Sequence, residues 1–311
     1  MTGNYPPLIV LLGPTAIGKT SLALKMAQTL NAEIIGADSR QVYRYMDVGT
    51  AKPTHADRAL VSHHLVDFLD PADQLTLARY QEMTYATIDD IHARGRVPLL
   101  VGGTGQYLTA VIEGWSIPEV PPNDALRAEL EAYADEHGKQ ALYDRLARID
   151  PDAAVKIHPN NVRRVVRALE VCIEAGERIS ILQQKKPPQY RILELGLRFE
   201  RQLLYDRADK RVDQMMDRGF LAEVRRLLDM GYSRDLPSMS GLGYVQLVGH
   251  LLDGLPLDEA IADTKIATHQ YIRRQLTWFR GHNPAAIWHD VATLDAQAII
   301  DKCKRWLQGD S

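Results

Sequence analysis

Eight residues near the start of the chain, Gly13, Pro14, Thr15, Ala16, Ile17, Gly18, Lys19 and Thr20, fit the pattern G-x-x-x-x-G-K-[ST], whose chemistry is the holding of phosphate. The glycines let successive backbone N–H groups converge on one anion, Lys19 brings a mobile positive charge, and Thr20 offers a hydroxyl to a Mg²⁺. Asp38, in the stretch Ala37-Asp38-Ser39-Arg40-Gln41-Val42-Tyr43, adds a carboxylate that could act as a base or a Mg²⁺ partner. It could equally cap a turn, a common fate of Asp-Ser after a strand. Gly102-Gly103-Thr104-Gly105 is a turn through which a backbone or the Thr104 hydroxyl can approach a ligand. Charge developing on phosphate calls for an arginine, and Arg207 or Arg211 would serve if their helix packs beside the loop.

The elements that must position these residues read as alternating strand and helix. Residues 8–12 form an apolar run directly before the loop, 20–30 a helix, 33–37 a second strand, 76–94 a helix and 97–101 a third strand. Such alternation implies an α/β fold with a parallel, P-loop NTPase-like sheet, whose ligands sit at the carboxyl ends of the strands. From Trp115 the texture changes: Pro118, Pro121 and Pro122 make a joint, and helical patterns follow over 124–175. We therefore expect a catalytic core of residues 1–115 and 190–311, interrupted by a helical subdomain over 116–189. A strand over 192–197 resumes the sheet, and helices over 201–218, 221–230, 245–253 and 257–280 precede a short strand at 287–288 and a last helix.

Composition narrows the function classes. With 311 residues, 45% hydrophobic and 25% charged, the chain can bury a large core, and no stretch is apolar enough to cross a bilayer. Cys172 and Cys303 are far apart and lack ligand-spaced partners, so neither a disulfide framework nor a zinc site is expected, and the cytoplasm is the expected compartment. A net charge of −3 means that any nucleic-acid surface must come from local patches. One such patch is Arg163, Arg164 and Arg167, opposite the apolar positions Val162, Val165, Val166, Leu169 and Ile173; a face paired internally with Glu170 and Glu174 is the plainer alternative. A second is Arg273, Arg274, Arg280 and His282 with Tyr271, Trp278 and Phe279 interleaved, which suits phosphate binding with base stacking, or a helix with core aromatics.

Taken in order, GPTAIGKT, ADSRQVYRYMDVGTAKP, LLVGGTGQYL, HPNNVRRVVRALEV and RRQLTWFR closely resemble the tRNA dimethylallyltransferases, also called tRNA isopentenyltransferases. The resemblance runs from about Leu8 to Arg280. It implies transfer of a dimethylallyl group from dimethylallyl diphosphate, with Mg²⁺, to the exocyclic amine of the adenosine 3′ of the anticodon (position 37), in tRNAs that read codons beginning with U. By the same resemblance Asp38 is the base, Gly13 to Thr20 and Arg211 hold the diphosphate, Thr20 meets the metal, and Thr15 contacts substrate. Residues implied at the tRNA anticodon stem-loop are Asp38, Ser39, Arg40, Gln41, Thr104, Arg127, Arg163, Arg164, Val165, Val166, Arg167, Ser240, Gly241, Leu242, Gly243, Tyr244, Val245, Arg273, Arg274, Gln275, Trp278 and Arg280. Gln106, in place of an aliphatic residue, and the Ser240-Gly241-Leu242 segment depart from the family pattern and touch only details of tRNA contact. A monomer is expected. The rival reading is a P-loop small-molecule kinase or ATPase, against which stands the lack of a strand ending in a clear second Mg²⁺ aspartate: Asp67 and Asp70 are poor matches. A non-catalytic RNA-binding protein would leave the phosphate loop and Asp38 without a purpose.

Overall fold

The computed structural model describes residues 5–309, and the chain divides into two compact units. One runs to Ile112 and resumes at Gln189; the other is Glu113–Pro188. The first carries strands β1 (Pro7–Leu12), β2 (Ala32–Ala37), β3 (His63–His64), β4 (Val97–Gly102), β5 (Arg191–Arg198) and β6 (Ile287–Asp290). They pair in parallel in the order β3-β2-β4-β1-β5-β6. Helices α1 (Lys19–Leu30), α2 (His55–Leu60), α3 (Leu77–Ala93) and α4 (Gly105–Glu113) alternate with the first strands. No helix among the described residues is long and apolar enough to cross a membrane.

β1 is apolar without alternation because both its faces are covered. Ile9 and Leu11 pack with Leu22 and Met26 of α1, while Leu8, Val10 and Leu12 pack with Tyr80 and Ile88 of α3 and Leu108 of α4. At about 1.5–3 kcal/mol for each fully buried aliphatic side chain, this strand anchors the sheet's centre, and the loop that follows it inherits a fixed position. β2 is buried throughout, Glu33 included, and the Arg94 guanidinium forks onto that carboxylate, with one bond of 2.9 Å.

The second unit consists of α5 (Asp124–His137), α6 (Lys139–Ile149), α7 (Pro151–Ala154), α8 (Val162–Ala175) and α9 (Ile179–Leu182). Its core joins Leu130, Leu142, Leu146, Val165, Val166 and Leu169. After the sheet resumes, the first unit adds α10 (Arg201–Asp217), α11 (Phe220–Asp229), α12 (Tyr244–Asp253), α13 (Leu257–His282) and α14 (Ala296–Gln308). Three elements lie outside the periodicity of the sequence: α2 and α4 are short, and the two-residue edge strand β3 gives no pattern to read. Its His63 and His64, which form no ligand pattern, pair with Ile34 and Ile35, and His64 Nε2 lies 2.6 Å from Glu33.

Candidate functional site

The phosphate loop leaves the carboxyl end of β1 and turns into α1 at Gly18, whose φ of +99° only glycine adopts without strain. Lys19 folds back over the loop, donating to Gly13 O at 2.9 Å and Pro14 O at 2.8 Å. Burial brings its ammonium down to about 7, against the pull of the Asp38 carboxylate and with a further lowering from Arg211. Burial also lowers Arg211, again with Asp38 opposing it. Two desolvated cations thus face one carboxylate, and an incoming anion would relieve the cost of their confinement. The Thr20 hydroxyl is exposed on the first turn of α1, and no group of three or more His, Cys, Asp or Glu side chains among the described residues could hold a metal. That donor set fits Mg²⁺, which commonly takes most of its ligands from substrate phosphate and water.

Asp38 follows the end of β2. Its Oδ1 accepts from Arg40 N at 2.9 Å and from Gln41 N at 3.3 Å, so the carboxylate does cap a turn, yet only one of its oxygens is used that way. Thr104 ties this turn to β4: its backbone N–H donates to Ala37 O at 3.1 Å, and its Oγ1 accepts from Ser39 N at 3.0 Å. Burial and the nearby Asp38 raise the Tyr271 phenol to about 12, so it remains a neutral donor at the cavity wall.

Asp38, Arg211 and Tyr271 line one cavity of about 270 Å³ in the first unit. Thr15, Asp38 and Arg211 form its polar end, while Val212, Met215, Phe220 and Leu242 supply an apolar wall. A small branched hydrocarbon carrying a polyanionic head matches that division. Of the two arginines open to the charge role, Arg211 lines this cavity, whereas the Arg207 guanidinium lies over the Phe199 ring at 4.2 Å from its centroid.

Sequence reasoning missed Val212, Met215 and Phe220 as an apolar wall, because they are ordinary core types; Leu242 was implied only at tRNA. It also missed Glu223, 4% exposed, which accepts from the backbone N–H groups of Asp47, Val48 and Gly49 at 2.8–3.1 Å and from the Tyr244 hydroxyl at 2.7 Å. The readable sign was an acid on the apolar face of α11, three residues after Phe220. Glu223→Ala would leave those donors unsatisfied and is expected to destabilise the fold by about 3–5 kcal/mol, read from urea unfolding.

The residues implied at tRNA fall into distinct groups. Arg40 reaches the 238–240 turn, donating to Pro237 O and to Ser240 Oγ at 3.1 Å. The Gln41 amide is spent on Thr50 O and Ala51 O. Ser240, Gly241, Leu242, Tyr244 and Arg274 line the cavity, Val245 is exposed, and Gly243 sits tightly against Phe220. Arg273 and Arg280 are exposed on α13, while Trp278 donates to Thr109 Oγ1 at 2.9 Å. Gln275 is 5% exposed and its carboxamide is bonded to the phosphate loop, accepting from Thr15 N at 3.0 Å. In the helical unit Arg163 and Arg164 are exposed. Val165 and Val166 are core residues there, which removes their side chains from any binding surface. Arg127 and Arg167 both bond the buried Glu170, Arg127 Nε at 2.8 Å and Arg167 at 2.5 Å, so the internally paired alternative holds for Arg167.

The model of the IPP transferase family matches residues 41–282, and that of the isopentenyl transferases matches 6–64. The tRNA dimethylallyltransferase of Roseiflexus sp. (strain RS-1) is 52% identical over 94% of this chain and 96% of its own length. That of Thermomicrobium roseum is 48% identical over 92% and 86%. Among solved structures, the tRNA isopentenylpyrophosphate transferase of Bacillus halodurans superposes with a TM-score of 0.72 at 41% identity, covering 97% of this chain and 96% of that one. A eukaryotic dimethylallyltransferase acting on tRNA gives a TM-score of 0.83 at 27% identity, covering 98% and 80%.

Proposed function

The chain belongs to the IPP transferase family, whose curated relatives are tRNA dimethylallyltransferases, and from that premise we propose how its cavity performs prenyl transfer. The enzyme transfers the dimethylallyl group of a diphosphate substrate to tRNA. Its acceptor is the exocyclic amine of the adenosine 3′ of the anticodon, position 37, in tRNAs reading codons that begin with U. The observation that carries this reading is a single cavity lined by Thr15, Asp38 and Arg211 together with an apolar wall, where the charges of Asp38 and Arg211 both act on the buried Lys19 ammonium of the phosphate loop.

Lys19, Arg211 and the N–H groups at the start of α1 take up the diphosphate charge that grows as the allylic carbon–oxygen bond breaks. Mg²⁺ would be held by the Thr20 hydroxyl and the diphosphate, and when bound it supplies further charge to the leaving group. The exocyclic amine is a weak nucleophile because its lone pair is delocalised into the ring. As the new nitrogen–carbon bond forms, its proton passes to Asp38, whose Oδ2 is free of the turn, and diphosphate departs. The adenine must leave the anticodon stack to reach the cavity, and exposed arginines grip the backbone around it. Arg163 and Arg164 serve that purpose; Arg127 and Arg167 are committed to Glu170. Arg163→Ala with Arg164→Ala is expected to weaken tRNA binding and to lower the slope of log affinity against log salt by about 1–2, measured by filter binding from 50 to 200 mM salt. An unchanged slope would take α8 out of the interface.

The reaction is tested by incubating the protein with Mg²⁺, dimethylallyl diphosphate and unmodified tRNA, then weighing the nucleosides after digestion. An adenosine heavier by one dimethylallyl group is the expected product. ATP consumption without that nucleoside would instead place the protein among the kinases.

A further inference from the structure

We propose that Gln275 sets the phosphate loop to hold a diphosphate and to reject a triphosphate. The inference rests on the reading that the loop takes the diphosphate head of the substrate. Gln275 stands near the end of α13, buried, and its carboxamide spans two loops of the site. Its Oε1 accepts from Thr15 N at 3.0 Å, and its Nε2 donates to Gly103 O at 2.7 Å. The approach is close enough that a Cβ on Gly103 would lie 2.6 Å from Gln275 Nε2 and 3.5 Å from Lys19 Nζ. The carboxamide and the Lys19 ammonium therefore sit side by side over the first half of the loop, where Lys19 bonds Gly13 O and Pro14 O.

A loop of this pattern ordinarily offers its backbone N–H groups to a chain of phosphates, with the lysine at the terminal one. In this protein the Thr15 N–H already has an acceptor, and that acceptor is the negative end of a buried dipole. A phosphate oxygen arriving there would lose a donor and meet an oxygen it repels. The donors left are those of the second half of the loop and the first turn of α1, where the helix N-terminus favours negative charge. On this proposal two phosphates use that remainder, and a third reaches toward the Thr15 N–H. A third would have to displace Gln275, breaking its bond to Gly103 and leaving the amide buried without partners. The neighbouring contacts make displacement harder, since Tyr271 and Trp278 on the same helix meet Thr104 and Thr109.

The test is calorimetric titration of the full chain, with Mg²⁺, by inorganic diphosphate and by inorganic tripolyphosphate. Charge alone favours the longer anion, so a preference for diphosphate of about tenfold or more, the worth of one hydrogen bond to a charged group, is the expected wild-type result. Gln275→Ala frees the Thr15 N–H and is expected to shift the ratio of the two affinities by about tenfold toward tripolyphosphate. Gln275→Glu keeps an acceptor for Thr15, loses the donor to Gly103 O and adds negative charge. Both anions should weaken while diphosphate stays preferred, and a shift of the ratio toward tripolyphosphate there would overturn the proposal. A merely structural role would weaken both anions alike in Gln275→Ala, and an unchanged ratio there overturns the proposal. Equal affinities in the wild type overturn it without any variant, which covers the case in which Gln275→Ala does not fold. Lys19→Met separates the underlying reading: if diphosphate binding survives it undiminished, the anion is not in the loop and both readings fall.

Discussion

Asp38→Asn is expected to slow dimethylallyl transfer by about 10²–10⁴-fold in a single turnover while leaving diphosphate and tRNA affinity near wild type. The substitution isolates the chemistry because the two carboxylate oxygens have different duties. Oδ1 accepts from Arg40 N and Gln41 N, and an asparagine oxygen can keep both bonds, so the turn after β2 survives. Only the second oxygen changes, from a group that can accept the amine proton to one that cannot. A side effect must be controlled: Asp38 is the group that holds the Lys19 ammonium up against burial, and without it Lys19 falls further below its usual value. The assay therefore belongs near pH 6, where more of the Lys19 charge is retained. A rate within tenfold of wild type under those conditions would remove Asp38 as the base.

The parts of this site that could be read from the sequence are those confined to one short segment. The phosphate loop needs glycines, a lysine and a threonine at fixed spacing between a strand and a helix, and β1 and α1 supply that context within thirty residues. Asp38 and Thr104 were readable by their place at the ends of β2 and β4, since a parallel sheet brings such ends together whatever the intervening chain does. The rest depends on contacts between distant segments. Arg207 and Arg211 are one helical turn apart and look equivalent; Phe199, lying under the Arg207 guanidinium, separates them. Arg127 and Arg167 look like a basic surface until Glu170 is found buried between them. Gln275 reads as one more polar residue in a basic helix, and only the approach of Gly103 and Thr15 gives it a role. The apolar wall is the hardest case, because Val212, Met215 and Phe220 differ from other apolar packing residues only in facing a cavity.

Lys19→Met should be the most damaging change to the diphosphate site, lowering transfer by at least about 10²–10³-fold, the usual effect of removing one donor from developing charge. It also tests a linkage that the wild type should display. In the free protein burial brings the Lys19 pKa from the usual 10.5 to about 7, so its proton leaves as pH rises through 7. A diphosphate beside Nζ favours the charged form and moves the pKa back up. Between about pH 7 and pH 10 binding must then take up close to one proton, and affinity should fall by up to tenfold per unit as pH rises. Near pH 6 the free ammonium is already charged, so this group contributes little uptake. Titration at pH 8.5 in buffers of different ionisation enthalpy counts the protons directly: about one is expected for wild type beyond the count for Lys19→Met. Equal counts would assign the proton to the diphosphate itself. Because the ammonium rests on Gly13 O and Pro14 O in the free protein, the anion must draw it from those partners, and the N–H groups at the start of α1 add to the charge it meets.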